Sequence, residues 1–156
     1  MPLASPRGGV RRRATRGKRM TTYKEFINTC IRPLYPNEKQ LIIQKTPNIR
    51  ISFPNVSALG KDPNDPENMI GLHKDSDFGH STYEMNYIIP ITKMFSTNSI
   101  YYENKSKTKF ENLCLETNEF CEIYLNQINH CNKKNETGKT RISFDIRIMP
   151  ESEYTK

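Results

Sequence analysis

Thr140-Arg141-Ile142-Ser143-Phe144-Asp145-Ile146-Arg147-Ile148-Met149 alternates more cleanly than any other stretch of this 156-residue chain. Side chains of an extended strand point to opposite faces with a period of two. Arg141 and Ser143 therefore share one face, and Ile142, Phe144, Ile146 and Ile148 line the other. A strand with one wholly apolar face packs on a core. Its Arg and Ser then point into something polar, either water or a binding cavity.

Outward from this strand the same reading recurs. Asn132 to Lys139 is a polar turn closed by Gly138, and Phe120 to Asn129 alternates as a strand before it. Tyr83–Thr92, Ser99–Glu103, Leu41–Thr46 and Asn48–Phe53 are further strands, the last with Ile49, Ile51 and Phe53 on one side. Phe110–Thr117 is ambiguous. Pro54–Asn68 is a loop broken by Gly60, Pro63 and Pro66. Tyr23–Arg32 reads as a short helix, capped by Thr21 or Thr22 and ended before Pro33. Many short strands with polar turns and one N-terminal helix predict an all-β sandwich or barrel.

Residues 1–20 hold seven basic residues and no acid. The chain's 24 Lys and Arg less those seven leave 17, against 17 Asp and Glu, so residues 21–156 carry no net charge. A folded nucleic-acid or acidic-lipid binder carries its basic residues on a face, so only the tail suits a polyanion. The tail is basic and poor in large apolar residues, which predicts disorder. It reads as a start-site artefact with Met20 as the natural start, as an organelle transit segment, or as a weak electrostatic tether. No run of 18 apolar residues is long enough for a transmembrane helix, and no apolar signal-peptide region is visible. Cys30, Cys114, Cys121 and Cys131 form no CxxC pair, so thiols in a reducing cytoplasm are expected rather than a zinc or redox motif. One domain over 21–156, cytoplasmic, is the expectation.

The chemistry-bearing residues are few. His73-Lys74-Asp75 puts an imidazole and a carboxylate on one face of an extended segment, so both can reach one metal ion. His130 can supply a third ligand. Two His and one carboxylate on one face of an octahedral ion form the facial triad of non-haem iron sites, with three positions left open. Eleven residues on, the Arg141 fork and the Ser143 hydroxyl suit the far carboxylate of a dicarboxylic acid. Taken alone, His73 and Asp75 read as a loop pair, and Arg141 as a surface residue paired with Asp145 or Glu122. The order of all five along the chain favours the site. Asp77, His80 and Asn98 are weaker candidates nearby.

His73-x-Asp75, His130 and Arg141-x-Ser143 resemble the Fe(II)- and 2-oxoglutarate-dependent dioxygenases. The wider context, Gly71 to Gly79, Glu84 to Thr92, Thr97 to Ser99 and Asn135 to Arg147, resembles a small bacterial group that includes a streptomycin-biosynthesis protein. The resemblance spans about residues 40–154. It implies a double-stranded β-helix, or jelly roll, with His73, Asp75 and His130 as catalytic metal ligands for Fe(II). It further implies that Arg141 and Ser143 bind 2-oxoglutarate, with Asn86 either bonding the cosubstrate or serving as a polar residue of the barrel interior. With O2, the implied reaction is hydroxylation or desaturation of a small polar metabolite or natural-product intermediate. Halogenation is disfavoured because Asp75 occupies the position that halogenases leave open. The alternatives are a non-catalytic metal- or sugar-binding barrel and a polyanion binder acting through the tail. For so short a domain, the pocket walls must come from Pro54–Asn68, Ser76–Thr82 and Lys105–Thr108, or from the second subunit of a homodimer.

Overall fold

A computed structural model describes residues 9–13, 22–56 and 70–154. Among them are ten strands: β1 (Val10–Arg13), β2 (Leu41–Ile43), β3 (Asn48–Ser52), β4 (Ile70–His73), β5 (Met85–Pro90), β6 (Ile100–Glu103), β7 (Phe110–Asn112), β8 (Glu119–Ile123), β9 (His130–Asn132) and β10 (Arg141–Pro150). One sheet runs β1-β8-β5-β10, and the far edge of β10 pairs first with β3 and then with β2. The other runs β4-β9-β6-β7. Every ladder is antiparallel. The all-β expectation holds, with one short helix, α1 (Tyr23–Phe26). Thr22 caps it by accepting from the Glu25 amide at 3.2 Å. The helix widens over Ile27–Ile31 and ends in a tight turn, Arg32–Leu34, where Pro33 forbids its continuation. Among the described residues no helix is long and apolar enough to cross a membrane.

Two apolar clusters divide the molecule. Phe26, Ile27, Cys30 and Ile31 of the helical segment cover Met85, Tyr87, Phe120, Ile146 and Ile148 on the outer face of the larger sheet. Ile88, Cys121 and Ile123 face the other way and meet Ile100, Leu113, Leu115, Leu125 and Ile128 between the sheets. The inner space is thus apolar on the β8 side. On the β10 side it is lined by a polar row of Arg141, Ser143, Asp145 and Arg147, and the first three are 4%, 1% and 5% exposed. Arg141 and Ser143 face inward rather than water, since the polar face of β10 looks between the sheets.

Four expectations change. Ile142 and Phe144 are only half-buried, and Ile49, Ile51 and Phe53 are exposed, because the helical segment stops short of β3. Phe120–Asn129 is not one strand. β8 stops at Ile123, and the chain turns where the Ile128 amide donates to the Tyr124 carbonyl at 3.1 Å, so His130 opens a new strand. Asn126 holds that turn by donating to the Glu84 carbonyl at 2.8 Å. Phe110–Thr117 resolves into β7 and a bridge from Leu115 to Met94. Finally, Val10–Arg13, expected to be disordered, pairs with Glu119–Glu122 as an edge strand, with Arg12 Nε 3.1 Å from Glu122 Oε2. Gly9 leads into it, seated so close to Cys121 that a Cβ would lie 2.7 Å from the sulfur. The rest of the tail, residues 57–68 of the expected loop and Met69 lie outside the described residues.

Candidate metal centre

His73 and His130 face each other across the β4–β9 ladder, with ring centroids 4.3 Å apart. The ladder is irregular between Ile70 and His73, where Gly71 adopts φ +67°. An L side chain tolerates that conformation poorly, and the bulge re-aims the strand end. Lys74 stays extended, so Asp75 returns to the His73 side before a tight turn over Asp75–Phe78. The Asp75 amide donates to the Leu125 carbonyl at 3.0 Å, which ties this corner to the β8–β9 turn.

The two oxygens of Asp75 divide their work. Oδ2 accepts from Asn86 Nδ2 at 2.9 Å, from Arg147 Nη2 at 2.8 Å and from Arg147 Nε at 3.1 Å. Oδ1 lies 3.5 Å from His73 Nε2 and 3.5 Å from His130 Nε2. Each imidazole points its Nδ1 at a backbone carbonyl, of Gly71 and of Ile128 respectively. A carbonyl only accepts, so Nδ1 carries a proton, which leaves Nε2 as the atom through which either ring can ligate. Three electron-rich atoms therefore converge, all within 4.8 Å of one another. They repel unless a cation or proton lies among them. Two ligands at right angles about one ion sit roughly 3 Å apart, so the 3.5 Å spacings need little contraction.

Electrostatics favour the ligand forms. Burial would raise the Asp75 carboxyl, but the hydrogen bonds from Arg147 and Asn86 and the Arg147 charge outweigh it and hold the group below its ordinary value of 3.8. Burial pushes His130 below 6.5, against the hydrogen bond to Ile128. At neutral pH the centre is a carboxylate and a neutral imidazole.

The structure thus brings His73, Asp75 and His130 together. Asn86 takes a different post from the cosubstrate contact considered for it. Its Nδ2 is spent on Asp75, and its Oδ1 is buried without a partner among the described residues. Asp77 caps its own turn by accepting from the Lys74 amide at 2.8 Å. His80 Nδ1 meets Glu84 Oε2 at 3.2 Å, and Asn98 caps a turn by accepting from the Phe95 amide. Arg147 is the residue that the sequence reading missed. The period of two that joins Arg141 to Ser143 reaches Arg147 two steps later.

Arg141 and Ser143 lie further along the same row. Arg141 pairs with neither Asp145 nor Glu122, which meet Arg50 and Arg12 instead. Its Nη2 donates to Asn132 Oδ1 at 3.5 Å. Arg141 Nε and Nη1 and Ser143 Oγ are buried without partners among the described residues. Burial, then the Arg50 charge, pushes the Arg141 guanidinium down to about 10, so it remains a cation at neutral pH. It lines a cleft of about 330 Å³ with Arg50, Ser52, Phe53, Asn132 and Lys133. A larger groove of about 890 Å³ lies elsewhere, between Arg11, Lys93, Phe95, Glu116 and Lys139. It holds none of the three converging ligands.

The fold is shared with non-haem oxygenases. The nickel complex of the non-heme monooxygenase ThoJ superposes with a TM-score of 0.54 at 15% identity, over 70% of this chain and 44% of that one. Apo ThoJ superposes with the same TM-score at 13% identity, over 70% of this chain and 46% of that one. In sequence the chain is similar to the streptomycin biosynthesis protein StrG of Streptomyces griseus, at 31% identity over 114 residues. That alignment takes in 72% of this chain and 48% of StrG, so the chain spans about half the length of the relatives it matches. No family model matches the chain.

Proposed function

We propose that the chain is a non-haem Fe(II) oxygenase that uses 2-oxoglutarate and O2 to hydroxylate a small polar metabolite in the cytoplasm. The observation that carries this is the inward row of β10. At one end Arg147 holds a carboxylate whose free oxygen converges with two imidazoles, and at the other two nitrogens of a buried guanidinium and a hydroxyl lack partners among the described residues. A buried cation without a counter-ion is costly, so such a cleft is built for an anion. The strand order supports the jelly-roll reading. Numbered from β3, the sheets run 1-8-3-6 and 2-7-4-5, the pairing of a double-stranded β-helix.

His73 Nε2, Asp75 Oδ1 and His130 Nε2 would hold the ion, and their donor set, N2O with open positions, fits Fe(II). When bound, Fe(II) with a 2-oxo acid and O2 supplies an oxidant able to attack a C–H bond. The chain supplies the rest. Arg147 and Asn86 orient the carboxylate, and the Gly71 and Ile128 carbonyls fix both imidazole tautomers. Arg141 and Ser143 would take the distal carboxylate, and the cluster around Ile88 and Ile123 keeps water from one side.

The test is anaerobic titration of the Fe(II)-loaded protein with 2-oxoglutarate, following the metal-to-ligand absorption band, then succinate release on adding O2. Mn(II), Co(II) and Ni(II) should bind in place of iron without turnover. A folded His73→Ala/Asp75→Ala variant that keeps stoichiometric metal refutes the centre. Metal binding without any 2-oxoglutarate band leaves a non-catalytic metal-binding barrel as the reading.

A further inference from the structure

Arg50 stands directly opposite Ser143 in the β3–β10 ladder, with Arg141 and Asp145 as its diagonal neighbours. A long side chain at such a position reaches either diagonal partner. In the structure it leans to one side, with Nη2 3.4 Å from Asp145 Oδ2. The contact is long and unequal, because the Arg50 side chain is about half exposed while the Asp145 carboxylate is buried. Asp145 Oδ1 has no hydrogen-bond partner among the described residues. On the other side, Arg50 lines the cleft into which Arg141 projects. Two guanidinium groups on one small cleft repel each other, and burial and the Arg50 charge together disfavour the Arg141 cation. Asp145 is the only acid in β10, and it is engaged with Arg50 rather than with Arg141.

We propose that Arg50 is a second, exchangeable clamp for the distal carboxylate of the 2-oxo acid. Asp145 parks the Arg50 guanidinium until the anion arrives. The guanidinium then swings one diagonal along the ladder to close over the carboxylate beside Ser143 and Arg141. This deepens the oxygenase reading above and rests on it. It explains why a buried acid stands next to a cleft that otherwise attracts anions, since Asp145 gives Arg50 a resting partner. It also makes the cleft selective for dicarboxylates, because a 2-oxo acid without the distal charge gives Arg50 no reason to leave Asp145.

The experiment compares 2-oxoglutarate with 2-oxopentanoate, which has the same chain length and no distal carboxylate. Both are titrated anaerobically into the Fe(II)-loaded parent, Arg50→Gln, Asp145→Asn and the double variant. Losing one charge-assisted contact weakens binding about tenfold. Arg50→Gln should therefore raise the dissociation constant for 2-oxoglutarate about tenfold and leave that for 2-oxopentanoate unchanged. Asp145→Asn, of the same shape, removes the competing charge and should tighten 2-oxoglutarate by about threefold or more. In the double variant that gain should vanish, because the residue it frees is gone. The inference is overturned if Arg50→Gln leaves 2-oxoglutarate binding as in the parent, if it weakens both acids equally, or if Asp145→Asn weakens binding. A parent that binds neither acid refutes the oxygenase reading and this inference with it. A parent that discriminates between the acids while Arg50→Gln discriminates equally refutes the clamp alone.

Discussion

Arg141 offers a test in which stability and function should move in opposite directions. Arg141 is 4% exposed, and replacing it with Met keeps most of the aliphatic stem and removes a guanidinium whose Nε and Nη1 are unpartnered among the described residues. The fall from 12.5 to about 10 corresponds to roughly 3 kcal/mol against the charged form. Part of that returns as lost packing and lost attraction to Asp145, so a net gain of about 1–2 kcal/mol is expected in the ligand-free protein. For a chain of this size that is an increase of about 2–6 °C in melting temperature. Binding of 2-oxoglutarate should fall by roughly thirtyfold or more, since breaking a buried charge pair costs at least about 2 kcal/mol. Arg141→Lys should recover part of the affinity, because a point charge replaces the fork. Differential scanning calorimetry and the anaerobic titration read the two halves independently. If Arg141→Met melts several degrees lower, the guanidinium has a structural partner and the anion-cleft reasoning fails. If it melts higher but binds 2-oxoglutarate as tightly as the parent, the cleft is not the cosubstrate site.

Arg147→Met should lower the melting temperature, because it strips two hydrogen bonds from a buried carboxylate, a loss of about 3–5 kcal/mol. It should also move the acid edge of Co(II) binding to higher pH as Asp75 gains proton affinity; unchanged values in both measurements would remove Arg147 from the centre. In the metal-free protein His130 is held below 6.5 in the fold, so its contribution is present above that pH and is lost as pH falls through the folded value. Melts across this range should therefore show stability declining below about pH 6.5, and His130→Gln should flatten that slope. Asp75 adds a second loss at lower pH, below 3.8, where its protonation forfeits the bonds from Arg147 and Asn86. Deleting residues 1–20 should cost a few degrees by exposing the β8 edge and Cys121, while metal affinity stays unchanged. A truncated protein with parental melting would mean that β1 contributes nothing to the sheet.

Much of this was legible one residue at a time. His73, Asp75 and His130 could be proposed as ligands because their chemistry is specific and an extended chain repeats every two residues, whatever it packs against. The same period placed Arg141 with Ser143, and β3, β5, β6 and β10 within a residue or two. Periodicity states which residues share a face, but not what covers it. Ile49, Ile51 and Phe53 share one side of the Asn48–Phe53 stretch and are exposed because the helical segment ends over Met85, Tyr87 and Ile146. The Arg-Ser-Asp-Arg row of β10 would be a solvated face in a single sheet. It is buried here because the second sheet, with its two imidazoles, closes over it. The division of Asp75 between Oδ1 and Oδ2 belongs to the tertiary structure too. Asn86 lies 11 residues and Arg147 72 residues from Asp75 along the chain, and the ladder pairs these two directly opposite each other beneath the carboxylate. No local pattern encodes that meeting, because it depends on the register between β5 and β10 and on the corner that the β8–β9 turn holds in place.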